Sequence, residues 1–187
     1  MSELILVFDT ETTGLTLHPD APLHKQPKII EIGIALLDRN GAIVETINHL
    51  IDPQEQITDE ITKITGITND DLKGAFTFAQ ALPSIRNAFE RASAVFAHNL
   101  PFDKAMLKNE LARAAVYDFP WPKNEYCTVG IHKEQWGRNP KLTELYEFAT
   151  GVPLPQTHRA LDDVLALVDA MLALDLHTVA FSELELQ

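Results

Sequence analysis

An α/β protein with one mixed sheet is the fold class that this 187-residue sequence predicts. Two observations predict it. Asn40 and Gly41 stand between apolar residues 29–37 and residues 42–51, and Asn-Gly in such a place is a strong signal for an antiparallel hairpin. Later apolar runs are separated by helical stretches, and strands separated by helices pair in parallel. We therefore expect helices on both sides of the sheet and functional groups where its central strands end.

The predicted strands share short apolar runs bounded by polar or turn residues. Residues 4–8 are all apolar, which is typical of a central strand that is buried on both faces. Isoleucines alternate with other residues in the second run, and the hairpin returns in the third. The strands are predicted at residues 4–8, 29–37, 42–51, 94–97 and 126–129.

The predicted helices are marked by periodicity and by their end residues. Ile57, Ile61 and Ile64 are spaced four and three apart, between a capping Thr58 and a terminating Gly66. Further helices are predicted at residues 78–91, 101–113, 139–151 and 159–174. The apolar face of the last helix is predicted to consist of Leu161, Val164, Leu165, Val168 and Leu172.

Composition indicates one soluble globular domain over residues 1–187, with a core at about 4–174 and a loosely held acidic tail at 175–187. No apolar run approaches the ~20 residues that a membrane span needs. The single cysteine, Cys127, leaves no partner for an internal disulfide and fits a reducing compartment, so we expect a cytoplasmic protein. The net charge of −12 argues against a broad basic surface for DNA, but it allows an enzyme that holds a few nucleotides locally.

Two carboxylates, Asp9 and Glu11 in "DTETTG", follow the first apolar run one residue apart. Side chains at i and i+2 of a strand share one side, so these two charges would repel unless a cation or a proton intervenes. Asp103 is predicted in the first turn of a helix that follows the buried strand 94–97. Neighbouring strand ends and helix starts can bring such groups together.

A third acidic position, Asp162 with Asp163, lies near the start of the last helix, and His158 precedes it. Several carboxylates without a cysteine pair favour Mg²⁺ or Mn²⁺ over structural zinc. Two such ions about 3.5–4 Å apart suit phosphodiester hydrolysis, with a histidine to accept a proton from water. Each acidic group taken singly could be a solvated turn or a helix-start residue. Helical periodicity does not choose between Asp162 and Asp163.

Three ordered motifs give this chain a family resemblance. They are "DTETTG" at 9–14, "HNLPFD" at 98–103 and "HRALDD" at 158–163. The sequence resembles the DEDDh branch of the DnaQ-like 3′→5′ exonucleases, in particular the proofreading epsilon subunit of bacterial DNA polymerase III and its phage or stand-alone relatives. The resemblance implies a ribonuclease-H-like fold with a five-stranded mixed sheet.

The resemblance also implies roles for individual residues. The two divalent ions, Mg²⁺ or Mn²⁺, would be held by Asp9, Glu11, Asp103 and Asp163. His158 would be the general base. Contacts to the substrate strand would come from Thr12, Thr13, Gly14, Leu15, His98, Asn99 and Phe102. Leu15 would be an apolar wedge against the terminal base, although core packing is the alternative for both Leu15 and Phe102.

The function implied is release of nucleoside monophosphates from the 3′ end of single-stranded or frayed DNA, in proofreading or repair. The expected partners are a single-stranded nucleic acid 3′ end, DNA rather than RNA, and a DNA polymerase. The alternatives are an RNA 3′-trimming exonuclease of the same branch and a non-catalytic domain that binds a 3′ end or a polymerase. The loop at 15–28 is longer than in the epsilon pattern, and it borders the first motif, so it is expected to affect access or substrate choice.

Overall fold

The computed structural model describes residues 4–155 and 158–185, with the side chain of Glu185 left aside. The strands are β1 (Leu4–Thr12), β2 (Ile29–Leu37), β3 (Ile43–Leu50), β4 (Ala92–Ala97) and β5 (Asn124–Cys127). The helices are α1 (Asp59–Thr65), α2 (Asn69–Leu72), α3 (Phe78–Glu90), α4 (Leu100–Arg113), α5 (Thr128–Trp136), α6 (Leu142–Thr150), α7 (Ala160–Ala173) and α8 (Leu176–Glu185).

The five strands form one mixed sheet in the order β3-β2-β1-β4-β5. The first three strands pair antiparallel. Strand β4 pairs in parallel with β1, and β5 pairs in parallel with β4. Gly41 has φ +80° in the turn between β2 and β3, where Asp38 N–H donates to Ala42 O at 2.9 Å. The mixed sheet and the Asn-Gly hairpin were both predicted, and both are confirmed.

The sheet is buried on both faces by two groups of helices. On one face, Leu6 and Phe8 of β1 pack with residues of α3 and α4. On the other face, Ile5 and Val7 pack with residues of α6, α7 and α8. Burial on both faces explains why the central strands are nearly continuous apolar runs.

The structure differs from the sequence-based expectations at three elements. First, β1 runs four residues beyond Phe8, so Asp9 and Glu11 lie within the strand. Second, residues 128–136 form α5, although residues up to 129 were expected to continue a strand. Third, residues 176–185 form α8 rather than a loose tail, and Ala180 and Phe181 are buried in the core on the sheet face that α7 covers. The last two residues of the predicted tail, 186 and 187, lie outside the described residues.

The apolar face of α7 also differs from the prediction. Leu161, Leu165 and Leu172 are only partly buried. The most buried positions are Ala160, Val164, Leu167, Val168, Ala170 and Met171. The difference arises because the sheet, α6 and α8 all pack against α7, so the buried surface of the helix is wider than the predicted apolar face.

Among the described residues, no single helix has the length and apolar character of a membrane span. Together α7 and α8 meet those two criteria, but they are bent by 79° relative to each other.

Candidate active site

The two carboxylates of β1 lie on the sheet face that α7 covers. Odd-numbered β1 residues such as Val7 pack against α7, and Asp9 and Glu11 continue that alternation. In the β1–β2 ladder Asp9 is opposite Gly33 and Glu11 is opposite Glu31. The strand pairing therefore places both acidic side chains beside the first turn of α7.

Gly33 allows α7 to approach β2 this closely. A Cβ atom at this position would lie 2.5 Å from the carbonyl carbon of Ala160 and 2.5 Å from the nitrogen of Leu161. Only glycine leaves room for the helix backbone there. As a result Glu11, His158 and Asp163 come together, and each offers one ligand atom within 4.8 Å of the other two.

His158 lies on the loop before α7, and its backbone has φ +49°. The helix begins at Ala160, so His158 and Asp163 approach the same point from a loop and from a helix. Asp163 is half-buried, whereas Asp162 is exposed. The geometry thus brings Asp163, not Asp162, into the cluster with Glu11.

Asp103 reaches the site from α4, on the other side of β1. Its side chain is 2% exposed, and its Oδ1 accepts hydrogen bonds from Thr10 N–H at 3.1 Å and from Thr10 Oγ1 at 2.8 Å. The carbonyl of Asn99 accepts from the N–H groups of Phe102 and Asp103 and starts the helix. Thr10 therefore ties the Asp103 carboxyl to the backbone between Asp9 and Glu11.

Electrostatics distinguish this cluster from ordinary surface acids. Burial, reinforced by repulsion from Asp163 and other neighbouring carboxylates, raises the pKa of Glu11 to about 8. Burial, followed by repulsion from Asp103 and Glu11, raises the pKa of Asp9 well above its ordinary value. Burial raises the pKa of Asp103 to about 7, although its bonds from Thr10 act in the opposite direction. Burial also raises the pKa of Asp163 to about 6, against the opposing effect of His158.

The donor set fits a hard divalent cation. Carboxylate oxygens from β1, α4 and α7 converge, and both burial and mutual repulsion disfavour their ionised forms. A bound cation would relieve that repulsion, and oxygen ligands are those that Mg²⁺ and Mn²⁺ prefer.

A cavity of about 630 Å³ opens next to the acidic cluster. Its walls include Glu11, Leu15, Ile61, Ile64 and Phe102. The Leu15 side chain is 81% exposed, which excludes the core-packing alternative for it. Phe102 is half-buried: it packs against the core and also lines the cavity, so both readings apply to it.

The other predicted substrate-binding residues divide by what they contact. Thr12, Thr13 and Gly14 line the same cavity. However, Thr13 N–H donates to Lys28 O at 2.9 Å, so that backbone donor already serves the fold. Asn99 is exposed at the start of α4.

His98 uses both ring nitrogens within the protein. Nδ1 lies 2.9 Å from Thr128 Oγ1, and Nε2 lies 3.0 Å from the carbonyl oxygen of Pro140. The ring therefore joins the end of β4 to α5 and to the segment before α6. This arrangement favours a supporting role for His98 over direct contact with a substrate.

Sequence reasoning assigned no role to Glu31 or Arg159, which form an ion pair beside the cluster. Glu31 is fully buried in β2, and Arg159 Nη2 lies 2.7 Å from its Oε1. One signal was present in the sequence: a carboxylate within an otherwise apolar strand needs a buried partner.

Comparisons with known proteins add independent findings. The RNase_T exonuclease family profile matches residues 6–171. DNA polymerase III PolC-type of Caldanaerobacter subterraneus subsp. tengcongensis is 33% identical over 164 residues, covering 88% of this chain and 11% of that protein. A putative bifunctional exonuclease/endonuclease protein of Mycobacterium tuberculosis is 34% identical over 178 residues, covering 90% and 26%. The chain thus spans only a small part of these relatives.

Solved structures with the same fold include the nuclease domain of 3′hExo, a DEDDh family member, bound to rAMP. It has a TM-score of 0.72 and 21% identity, and the match covers 95% of this chain and 94% of that one. Exonuclease I matches with a TM-score of 0.71 and 17% identity over 90% of this chain and 40% of that one. These likenesses confirm the predicted ribonuclease-H-like architecture.

Proposed function

We propose that this chain, which belongs to the DEDDh branch of the DnaQ-like 3′→5′ exonucleases, removes nucleotides from DNA 3′ ends through the acidic cluster on β1, α4 and α7. One observation carries the proposal: four carboxylates, all with raised pKa values, converge where His158 also lies. A domain that only bound a 3′ end would have no need for this buried repulsion.

Asp9, Glu11, Asp103 and Asp163 are the proposed ligands of two Mg²⁺ or Mn²⁺ ions. When bound, such ions lower the pKa of water and stabilise charge on the attacked phosphate and the leaving oxygen. The chain itself fixes the ligand positions: Asp103 through its bonds from Thr10, and Asp163 through the seating of α7 on Gly33.

His158 is the proposed general base. Its neutral imidazole would accept a proton from the attacking water. One ring nitrogen of His158 lies within 4.8 Å of a carboxylate oxygen of Glu11 and of Asp163, so the base would stand beside the proposed metal ligands. The loop position of His158 leaves its ring outside the helix that carries Asp163.

The terminal nucleotide is proposed to occupy the 630 Å³ cavity beside the cluster. Leu15, Ile64 and Phe102 offer apolar surface for a base, and Leu15 and Ile64 are both well exposed. Local contacts of this kind suit a chain with a net charge of −12, which has no overall attraction for a polyanion.

DNA is the proposed substrate, and a DNA polymerase the proposed partner, because polymerases are among the relatives above 30% identity. We place this activity in the cytoplasm. The relatives are far longer than this chain, so these features are inferred for it from a matching segment alone.

The test is digestion of matched 3′-labelled DNA and RNA oligomers, single-stranded and duplex, with Mg²⁺ or Mn²⁺. We expect stepwise release of mononucleotides from single-stranded DNA and none in excess chelator. Glu11→Gln serves as the inactive control for contaminating nucleases. Preferential digestion of RNA would replace the DNA assignment by 3′ trimming of RNA, and cleavage of circular single strands would contradict an exonuclease.

A further inference from the structure

An ion pair between β2 and the start of α7 lies directly beside the proposed ligands. Glu31 is 0% exposed, and Arg159 donates to both of its carboxylate oxygens, from Nε at 3.0 Å and from Nη2 at 2.7 Å. Ala160 N–H donates to Oε2 at 3.0 Å, and Asn48 Nδ2 donates to Oε1 at 3.1 Å. Each oxygen of Glu31 therefore accepts two hydrogen bonds.

These bonds hold the first turn of α7 against the sheet. Ala160 is the first residue of the helix, and its N–H would otherwise lack an intrahelical acceptor. Asp163 N–H donates to Arg159 O at 2.9 Å, so the turn anchored by Glu31 also carries the backbone of Asp163. His158 directly precedes Arg159. The positions of His158 and Asp163 therefore both depend on this anchored turn.

The same bonds keep Glu31 from acting as a competing ligand. Glu31 is the direct partner of Glu11 in the β1–β2 ladder, so their side chains lie on one face of the sheet. With four donors on its two oxygens and the charge of Arg159 beside it, Glu31 has no oxygen directed toward a cation at Glu11.

We propose that Glu31 and Arg159 are positioning residues that set the placement of His158 and Asp163 relative to Glu11. Neither residue lines the proposed substrate cavity. The four hydrogen bonds to Glu31 leave its oxygens unavailable as ligands for an ion. This inference rests on the proposed function of Glu11, His158 and Asp163. In it, the Glu31–Arg159 pair aligns the side of the site that α7 contributes.

The experiment compares Glu31→Gln and Arg159→Lys with a control pair of similar chemistry. Glu110 is 6% exposed and accepts hydrogen bonds from Arg113 Nη1 at 2.7 Å and from Ile29 N–H at 3.1 Å. It lies near the C-terminal end of α4, whereas Asp103 lies in the first turn of that helix, so Glu110→Gln removes a buried, Arg-paired charge without touching α7. Turnover, KM for single-stranded DNA, Mn²⁺ affinity by calorimetry and melting temperature are measured for all variants.

We expect Glu31→Gln to lower both kcat and Mn²⁺ affinity by about 10–100-fold, as is usual when a group that orients a metal ligand is lost. KM should stay within about 3-fold, because the cavity for the terminal nucleotide is built from β1, α1 and α4. Arg159→Lys keeps the charge but not the two-pronged contact, so its losses should be intermediate. Glu110→Gln should lower the melting temperature while leaving kcat and Mn²⁺ affinity unchanged.

A purely structural role would be shown if Glu31→Gln reduced kcat and Mn²⁺ affinity no more than Glu110→Gln at a similar loss of melting temperature. If Glu31→Gln does not fold, Arg159→Lys decides, because its side chain is 41% exposed and tolerates replacement. If the wild-type chain bound Mn²⁺ but hydrolysed nothing, the proposed function would fail. The positioning of the ligands would still be tested by the calorimetry.

Discussion

Glu11 and Glu31 are direct partners in the β1–β2 ladder, yet their pKa values move in opposite directions. Burial and neighbouring carboxylates raise the pKa of Glu11 to about 8. Burial alone would also raise the pKa of Glu31, but hydrogen bonds from Arg159, Ala160 N–H and Asn48 lower it below its ordinary value. Two paired strand positions thus carry one ionised carboxylate whose charge the protein compensates, Glu31, and one whose charge needs a proton or a cation, Glu11.

This difference shows how the fold divides its buried acids between structure and chemistry. Glu31 receives a complete set of donors from the protein and holds α7 in place. The active-site group differs, because its carboxylates have other carboxylates as close neighbours: Asp9, Glu11 and Asp163. Their repulsion costs free energy unless protons or metal ions intervene. The predictions that follow test this contrast, beginning with the variant expected to have the largest effect.

Asp163→Asn should abolish Mn²⁺ binding at its site and reduce hydrolysis by on the order of 10³-fold or more, because it removes a proposed ligand. The adjacent Asp162→Asn is the matched control. Asp162 is exposed, and an exposed carboxylate in the first turn of a helix contributes only ~0.3–1 kcal/mol through the helix dipole. Single-turnover rates and calorimetric titration measure both effects. An inactive Asp162→Asn beside an active Asp163→Asn would mean that the third motif is misregistered.

His158→Ala should lower turnover by on the order of 10²–10⁴-fold, because a general base is lost while the carboxylate ligands remain. Binding of Mn²⁺ and of the DNA 3′ end should be largely retained. A variant with near-normal turnover and the pH–rate profile of the wild-type enzyme would remove His158 from the mechanism.

Without metal, the chain should become less stable as pH rises from about 5 to 8. The folded state keeps protons on carboxyls whose pKa values are raised to about 6, 7 and 8, whereas the unfolded chain has released them. Stability is therefore fully present below the ordinary pKa values of Asp and Glu and is lost as pH passes through the raised ones. The melting temperature should fall by about 3 °C per pH unit or more.

Mn²⁺ should remove this dependence, since it takes the place of the protons. At 100 times its dissociation constant, a bound ion adds about 2.7 kcal/mol, or roughly 5–10 °C for a chain of this size. Differential scanning calorimetry with MnCl₂ or with chelator measures the effect, and Glu11→Gln should reduce the pH slope. A metal-free melting temperature that rises from pH 5 to 8 would contradict the burial of unpaired carboxylates at this site.

The smallest effect is expected at the substrate cavity. Leu15→Ala should raise KM for single-stranded DNA by roughly 5–30-fold, which corresponds to about 1–2 kcal/mol of apolar contact. Melting temperature should not change, because the side chain is 81% exposed. Leu17→Ala is the control: Leu17 is also exposed on this loop but does not line the cavity. Equal KM values for the two variants would remove Leu15 from substrate binding.

Local sequence was sufficient to predict turns and helix ends where a short pattern strongly favours one conformation. Asn40 and Gly41 form the hairpin turn as predicted. Thr58 and Gly66 cap the two ends of α1 as predicted. The boundaries of α4 were also close to the predicted ones, because Pro101 is favoured in the first turn of a helix. In each case the deciding interactions lie within a few residues, so the sequence pattern already contains them.

Patterns that depend on distant neighbours were predicted less well. The acidic composition after Asp175 suggested a loose tail. Helix α8 forms there instead, because Phe181 is buried in the core on the sheet face that α7 covers. The buried face of α7 differs from the predicted one because the sheet, α6 and α8 all pack against this helix. Apolar periodicity within one helix cannot report which of its faces meets the closest neighbour.

The resemblance of three ordered motifs, at residues 9–14, 98–103 and 158–163, was sufficient to identify the family, and the carboxylates in them nominated an acidic site for divalent ions. Helical periodicity did not choose between Asp162 and Asp163; the family resemblance favoured Asp163, and the tertiary structure agrees with it. The tertiary structure placed Asp163 rather than Asp162 beside Glu11, and it left Leu15 exposed at the cavity. It also gave the buried Glu31 its partner Arg159, 128 residues away in the sequence. The physical reason is that the effect of a buried charge depends on the donors around it, and only the folded chain brings those donors together.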